Sequence, residues 1–162
     1  MKPLEPPDSH YLAAAEGWLE LGNPVEAGAE LDHIDSANQE HPQALELRWR
    51  VGAEGKRWEE CVRIATRLIE LEPEELMGWV HRAFSLHELK RTSEAHATLA
   101  PMARKFPNDF LVSYNMACYA CQLGRLEEAR DWLKQAIGIA GVDRIRKMAK
   151  DDPDLRLLAD EI

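Results

Sequence analysis

The sequence predicts an all-α solenoid of antiparallel helix pairs, and three observations carry that expectation. The first is a repeat. Glu26-Ala27, Glu60-Cys61, Glu94-Ala95 and Glu128-Ala129 fill one slot, each pair 34 residues after the last, with no insertion or deletion between them. Self-similarity at that period marks a helix-turn-helix unit used over and over, stacked because one unit cannot bury its apolar face alone. The second is the alignment of turns. Leu21-Gly22-Asn23-Pro24-Val25, Gly55-Lys56-Arg57-Trp58-Glu59, Leu89-Lys90-Arg91-Thr92-Ser93 and Leu123-Gly124-Arg125-Leu126-Glu127 fall into line, each joining two helices. The third is an apolar stripe at helical spacing: Leu31, Ala65, Leu99 and Leu133 recur in the second helices, followed three residues later by Ile34, Leu68, Met102 and Ala136.

Taken in order, residues 1–8 carry Pro3, Pro6 and Pro7 and are expected to be a disordered lead-in. Residues 9–141 hold four repeats, at about 8–41, 42–75, 76–109 and 110–141. In their first helices one place is held by Ala15, Trp49, Ala83 and Ala117, three of them small, as two closely crossing helices require. Proline closes the unit at Pro73 and Pro107, whereas Pro101 falls inside a second helix, where it removes a hydrogen bond and is expected to kink it. Residues 142–162 are expected to be capping helices. Val142 to Lys150 reads as a charged amphipathic helix, stopped by Asp151-Asp152-Pro153-Asp154, which can start a short helix from Leu155. A solenoid needs its last apolar face covered, so this segment either caps the stack or, through Leu155, Leu157 and Leu158, forms a docking tail.

The chain resembles the tetratricopeptide repeat (TPR) family over roughly residues 8–141. The fourth repeat carries the resemblance through Tyr114-Asn115-Met116-Ala117, Leu123-Gly124-Arg125, Glu128-Ala129 and Ala136, and the third through Trp79, Ala83, Ala95 and Pro107. The second departs most. Trp49 stands where the family has a small residue, Cys61 where it has alanine and Gly52 where it has a large one, which suggests a local large-for-small exchange. The first has Gln39 in place of the closing proline. The resemblance implies a right-handed superhelix whose first helices line a concave groove. Its residues here would be Leu12, Glu16, Leu19 and Glu20, then Glu46, Arg50 and Glu54, then Met77, Val80, Phe84, His87 and Glu88, and last Leu111, Tyr114, Cys118, Cys121 and Gln122. That groove is acidic in its first half and apolar in its second. Leu12 and Glu16 hold places where family members that grip acidic chaperone tails carry basic or amide side chains, so that ligand class is disfavoured.

Charge and motifs narrow the function classes. Net charge is −9, and residues 1–47 hold ten acids against the single base Lys2, leaving a balanced remainder. Phosphate binding needs a basic footprint, so nucleic acid is not an expected partner. No signal-peptide pattern or apolar run of spanning length is present, so a cytoplasmic protein that does not enter the membrane is expected. Three cysteines without framework spacing fit a reducing compartment. Cys118-Tyr119-Ala120-Cys121 has redox or metal spacing, but it lies within a helix and no second pair completes a zinc site. The six histidines show no metal-binding spacing, and no phosphate loop or nucleophile elbow is found. The expectation is a non-enzymatic interaction module without cofactor or metal, holding an apolar or basic protein segment. A secretion-type or holding chaperone and a self-associating scaffold are the alternatives.

Overall fold

The computed structural model describes residues 2–161, with side chains placed through Leu158. Met1 and Ile162, the outer ends of the expected lead-in and capping segment, lie outside the described residues. All regular structure among the described residues is helical. First helices α1 (Asp8–Glu20), α3 (Pro42–Glu54), α5 (Leu76–Glu88) and α7 (Phe110–Gln122) alternate with second helices α2 (Pro24–Asp32), α4 (Trp58–Leu71), α6 (Thr92–Lys105) and α8 (Leu126–Ala140). The helix α9 (Val142–Ala149) and a 3-10 segment, Pro153–Glu161, follow. None of the described helices is long and apolar enough to cross a membrane. Two compact units divide within α5, one ending at Ser85 and the other beginning at Leu86.

The constancy of the period is built by one turn used four times. Residues 22, 56, 90 and 124 all take left-handed backbone, with φ of 73° at Gly22 and Gly124, 52° at Lys56 and 64° at Lys90. In each turn the next amide reaches back five residues: Asn23 N–H to Trp18 O, Arg57 to Gly52, Arg91 to Leu86 and Arg125 to Ala120, at 2.8–2.9 Å. This paired closure satisfies carbonyls that a helix end otherwise leaves open. The residue after it starts the second helix. Asn23 accepts from the Glu26 amide through its side chain, while Arg57, Arg91 and Arg125 pair with Glu60, Glu94 and Glu128 three residues on.

Ala15, Ala83 and Ala117 in the first helices, and the slot residues Ala27, Cys61, Ala95 and Ala129 in the second, are all completely buried. The stripe Leu31, Ala65, Leu99 and Leu133 is buried with them, as are Ile34, Leu68, Met102 and Ala136. The second repeat solves its departure locally. A Cβ on Gly52 would lie 2.8 Å from Cys61 Sγ, so the absent side chain makes room for the sulfur that replaces a methyl hydrogen. Trp49 leaves the crossing altogether, stacking on His81 with ring centroids 3.7 Å apart and donating from Nε1 to Ser85 Oγ.

The first repeat ends without its proline by other means. Helix α2 stops at Asp32, and the 3-10 turn Ser36–Asn38 completes the distance to α3. Buried Asp8 accepts from the Asp35 amide at 3.1 Å and the Asn38 side chain at 2.7 Å, while Gln39 and Arg48 donate to the Leu31 carbonyl at the open end of α2. The lead-in expected to be disordered runs along α3. Leu4 N–H donates to Gln43 Oε1, His41 Nε2 lies 2.8 Å from the Lys2 carbonyl oxygen, and Leu4 packs on the core of the first repeat. Helix α6 continues through Pro101, whose ring faces solvent.

Two stability measurements test these devices. Lys56→Gly and Lys90→Gly should each stabilise by about 0.5–1 kcal/mol in urea titration, because glycine takes left-handed backbone without the steric cost of a Cβ. Gly52→Ala should destabilise by about 1–3 kcal/mol through overpacking. Adding Cys61→Ala should recover most of that loss, a coupling that independent sites would not show.

Candidate protein-binding surface

In the first unit α1 and α3 lie side by side and present the acidic half of the expected groove. A pocket of about 500 Å³ opens there, with Leu4, Leu12 and Leu47 as its apolar wall and Glu16, Glu46 and Arg50 at its polar rim. Arg50 and Glu16 approach to 3.6 Å with both side chains largely in solvent, a contact that screening keeps weak. Glu46 Oε1 lies 2.7 Å from His81 Nε2, so the stacked Trp49–His81 pair holds that carboxylate from behind. Glu20 and Glu54 point into solvent, whereas Leu19 turns inward and packs on the core.

The apolar half does not form the exposed wall that the family resemblance implied. Met77 is 42% exposed and lines a second hollow with Pro42, Leu68 and Gly78, but Val80 is buried. Phe84 sits edge-on to both Trp49 and Trp58, at centroid distances of 6.2 and 5.7 Å. It is half-buried helix packing, because the tryptophan displaced from the second repeat's crossing needs a ring against which to rest. Tyr114, expected on the open wall, is 5% exposed.

What covers Tyr114 is the C-terminal segment of the second unit. The Tyr114 hydroxyl donates to Asp152 Oδ2 at 2.6 Å, and Cys118 Sγ lies 3.7 Å from the same oxygen. His87 Nε2 lies 2.8 Å from Asp154 Oδ2, with its other ring nitrogen 2.9 Å from Thr92 Oγ1. Gln122 Nε2 donates to the Asp154 carbonyl at 3.1 Å. Leu155 and Leu158 are completely buried, the latter beside Leu133 and Ile137 of α8. The segment thus lies along α7 and reaches Leu133 and Ile137 of α8. His87, Tyr114, Cys118 and Gln122 are brought together beneath it. Glu88 and Leu111 remain half-buried beside them in the chain, and Cys121 is buried. Their partners Asp152 and Asp154 had read only as a helix stop; their sole sequence signal is the run Asp151-Asp152-Pro153-Asp154.

The site offers little nucleophilic chemistry. Burial, then the charge of Asp152, pushes the Cys118 thiol well above its ordinary range, and burial raises Cys121 too. Thiols held protonated are the opposite of what redox or nucleophilic work requires. Cys118 Sγ and carboxylate oxygens of Asp152 and Asp154 fall within 4.8 Å of one another. Those carboxylates are already engaged by Tyr114 and His87, so the trio reads as a fastening.

No family model and no curated protein matches the chain. Solved structures do. TTC0263, a thermophilic TPR protein of Thermus thermophilus, is 18% identical with a TM-score of 0.76, covering 88% of this chain and 80% of its own. A structure described as MamA 41-end from Desulfovibrio magneticus RS-1 is 16% identical at a TM-score of 0.76, covering 90% and 83% respectively. The MamA RS-1 ArsTM double mutant is 17% identical, also at 0.76, covering 98% and 92%. At such identities the likeness shows the fold: this chain is an all-α solenoid of the TPR kind.

Buried thiols give a pH dependence. Burial, then the charge of Glu60, raises Cys61 from about 9 to about 11. The unfolded chain therefore releases these protons at lower pH than the folded one, and stability falls as pH rises through that interval. The urea midpoint should drop between pH 9 and pH 11, and Cys61→Ala should flatten the drop.

Proposed function

We propose that the chain is a non-catalytic interaction module whose open recognition surface is the α1–α3 pocket, and that it holds a protein segment with an apolar side chain flanked by a basic residue. The observation that carries this reading is the pocket itself: an apolar wall of Leu4, Leu12 and Leu47 under a rim where Glu16 and Glu46 face one arginine. The surrounding sequence adds field to that rim, with ten acids against one base through residue 47. Such a field steers cationic segments toward the pocket, while the apolar wall supplies retention. The lead-in supports an extended ligand, since Gln43 beside the pocket accepts the Leu4 amide.

Fluorescence anisotropy with short synthetic peptides tests the reading. Peptides with a central leucine between lysines should bind in a salt-dependent way, and acidic counterparts should not. Glu16→Lys with Glu46→Lys should lower affinity about tenfold, mainly by slowing association. Equal binding by wild type and the reversed variant would remove this reading. Binding of any apolar peptide regardless of charge would favour a holding chaperone. Concentration-dependent sedimentation with no peptide binding would favour self-association.

A further inference from the structure

We propose that residues 152–158 are a resident ligand on the groove side of α7, and that this face accepts an acidic–apolar segment of another protein in their place. The inference rests on the groove reading only in treating this helix side as a recognition surface; its ligand chemistry is opposite to that of the α1–α3 pocket. Four polar side chains face the segment. Tyr114 and Cys118 meet the first carboxylate, His87 meets the second, and the Gln122 amide donates to the backbone between the second carboxylate and Leu155. The spacing is built into the ligand. The Asp154 amide donates to Asp152 Oδ1 at 2.9 Å, closing a turn that presents the first carboxylate to α7 and the second to His87 at the end of α5. Leu155 then enters a fully buried place.

A cap needs only apolar cover, which Leu155 and Leu158 supply. The polar fastening does something else: it specifies a sequence, two carboxylates two residues apart followed directly by leucine. Lysine in either acidic place would bring a cation against hydrogen-bond donors. A tethered ligand is present at roughly millimolar effective concentration, so an outside segment must match its pattern to displace it.

The test uses the full-length chain and a labelled synthetic peptide with the sequence of residues 150–158. Asp152→Ala with Asp154→Ala loosens the resident segment and should bind the peptide at least about tenfold more tightly than wild type, because the competitor in cis is weakened. Adding Tyr114→Phe should remove about tenfold of that gain by deleting a hydrogen bond to a charged group. A peptide with lysine at both acidic places should not bind. Equal binding by wild type and the double variant, or indifference to lysine, overturns the proposal. A second measurement covers the case in which the double variant does not fold. Tyr114→Phe in the otherwise native chain should speed amide exchange in residues 152–158 by about tenfold and leave α1 to α4 unchanged. Unchanged exchange there overturns the proposal and marks the segment as a structural cap. Neither substitution should alter binding of the lysine-flanked peptides at α1–α3, so the two readings fail separately.

Discussion

Everything in this molecule depends on a close approach between two helices that leaves no room for more than a methyl group. Ala27, Ala95 and Ala129 are the same residue in the same slot, each completely buried. Interiors pack at crystal-like density, so the allowance for change at such a point is very small. Once that separation is set, the turn between the helices has a single short solution, with one left-handed residue and one amide reaching back five positions. The second repeat shows what departure requires. Placing sulfur in the slot requires a glycine opposite, and the tryptophan that cannot remain at the crossing acquires its own environment of His81, Ser85 and Phe84.

That second environment links packing to the site. His81 is buried against Trp49 and reaches Glu46 on the rim of the α1–α3 pocket, so a substitution at the helix crossing positions a carboxylate on the surface. The first repeat makes a similar link at its other end. Asp8 is one of the acids counted toward the negative charge of this region, yet it is buried and committed to the Asp35 amide and Asn38. Formal charge therefore overstates by one what a partner would meet, although Glu16 and Glu20 beside the pocket are exposed.

Period and stripe made the helices legible in the sequence, because both are local and repeat without interruption. The buried positions followed from the same regularity. The site was legible only in part. Helical spacing sets Tyr114 and Cys118 on one side of α7, but it says nothing about a chain segment returning from 38 residues away to meet the Tyr114 hydroxyl. Phe84 depends on packing of the same non-local kind. Its exposure depends on where Trp49 goes after leaving its slot, which is a question of three-dimensional packing. In the lead-in, proline content reports local stiffness only, whereas its contacts with Gln43 and His41 are tertiary.

The identical turns also bear on how such a chain can change length over evolutionary time. With each connection already at its minimum, adding one residue inside a helix would rotate everything beyond it by about 100°, carrying buried alanines to the outside. Lengths are therefore heritable in whole modules, and gain or loss of a complete 34-residue block is the change that preserves every downstream interface. The link between α2 and α3 is the exception. There the second helix is nine residues long and a 3-10 turn makes up the distance. Side chains of Asp8, Gln39 and Arg48 hold that turn in place of a uniform backbone geometry, so this is the joint at which small insertions can accumulate without shifting the repeats on either side.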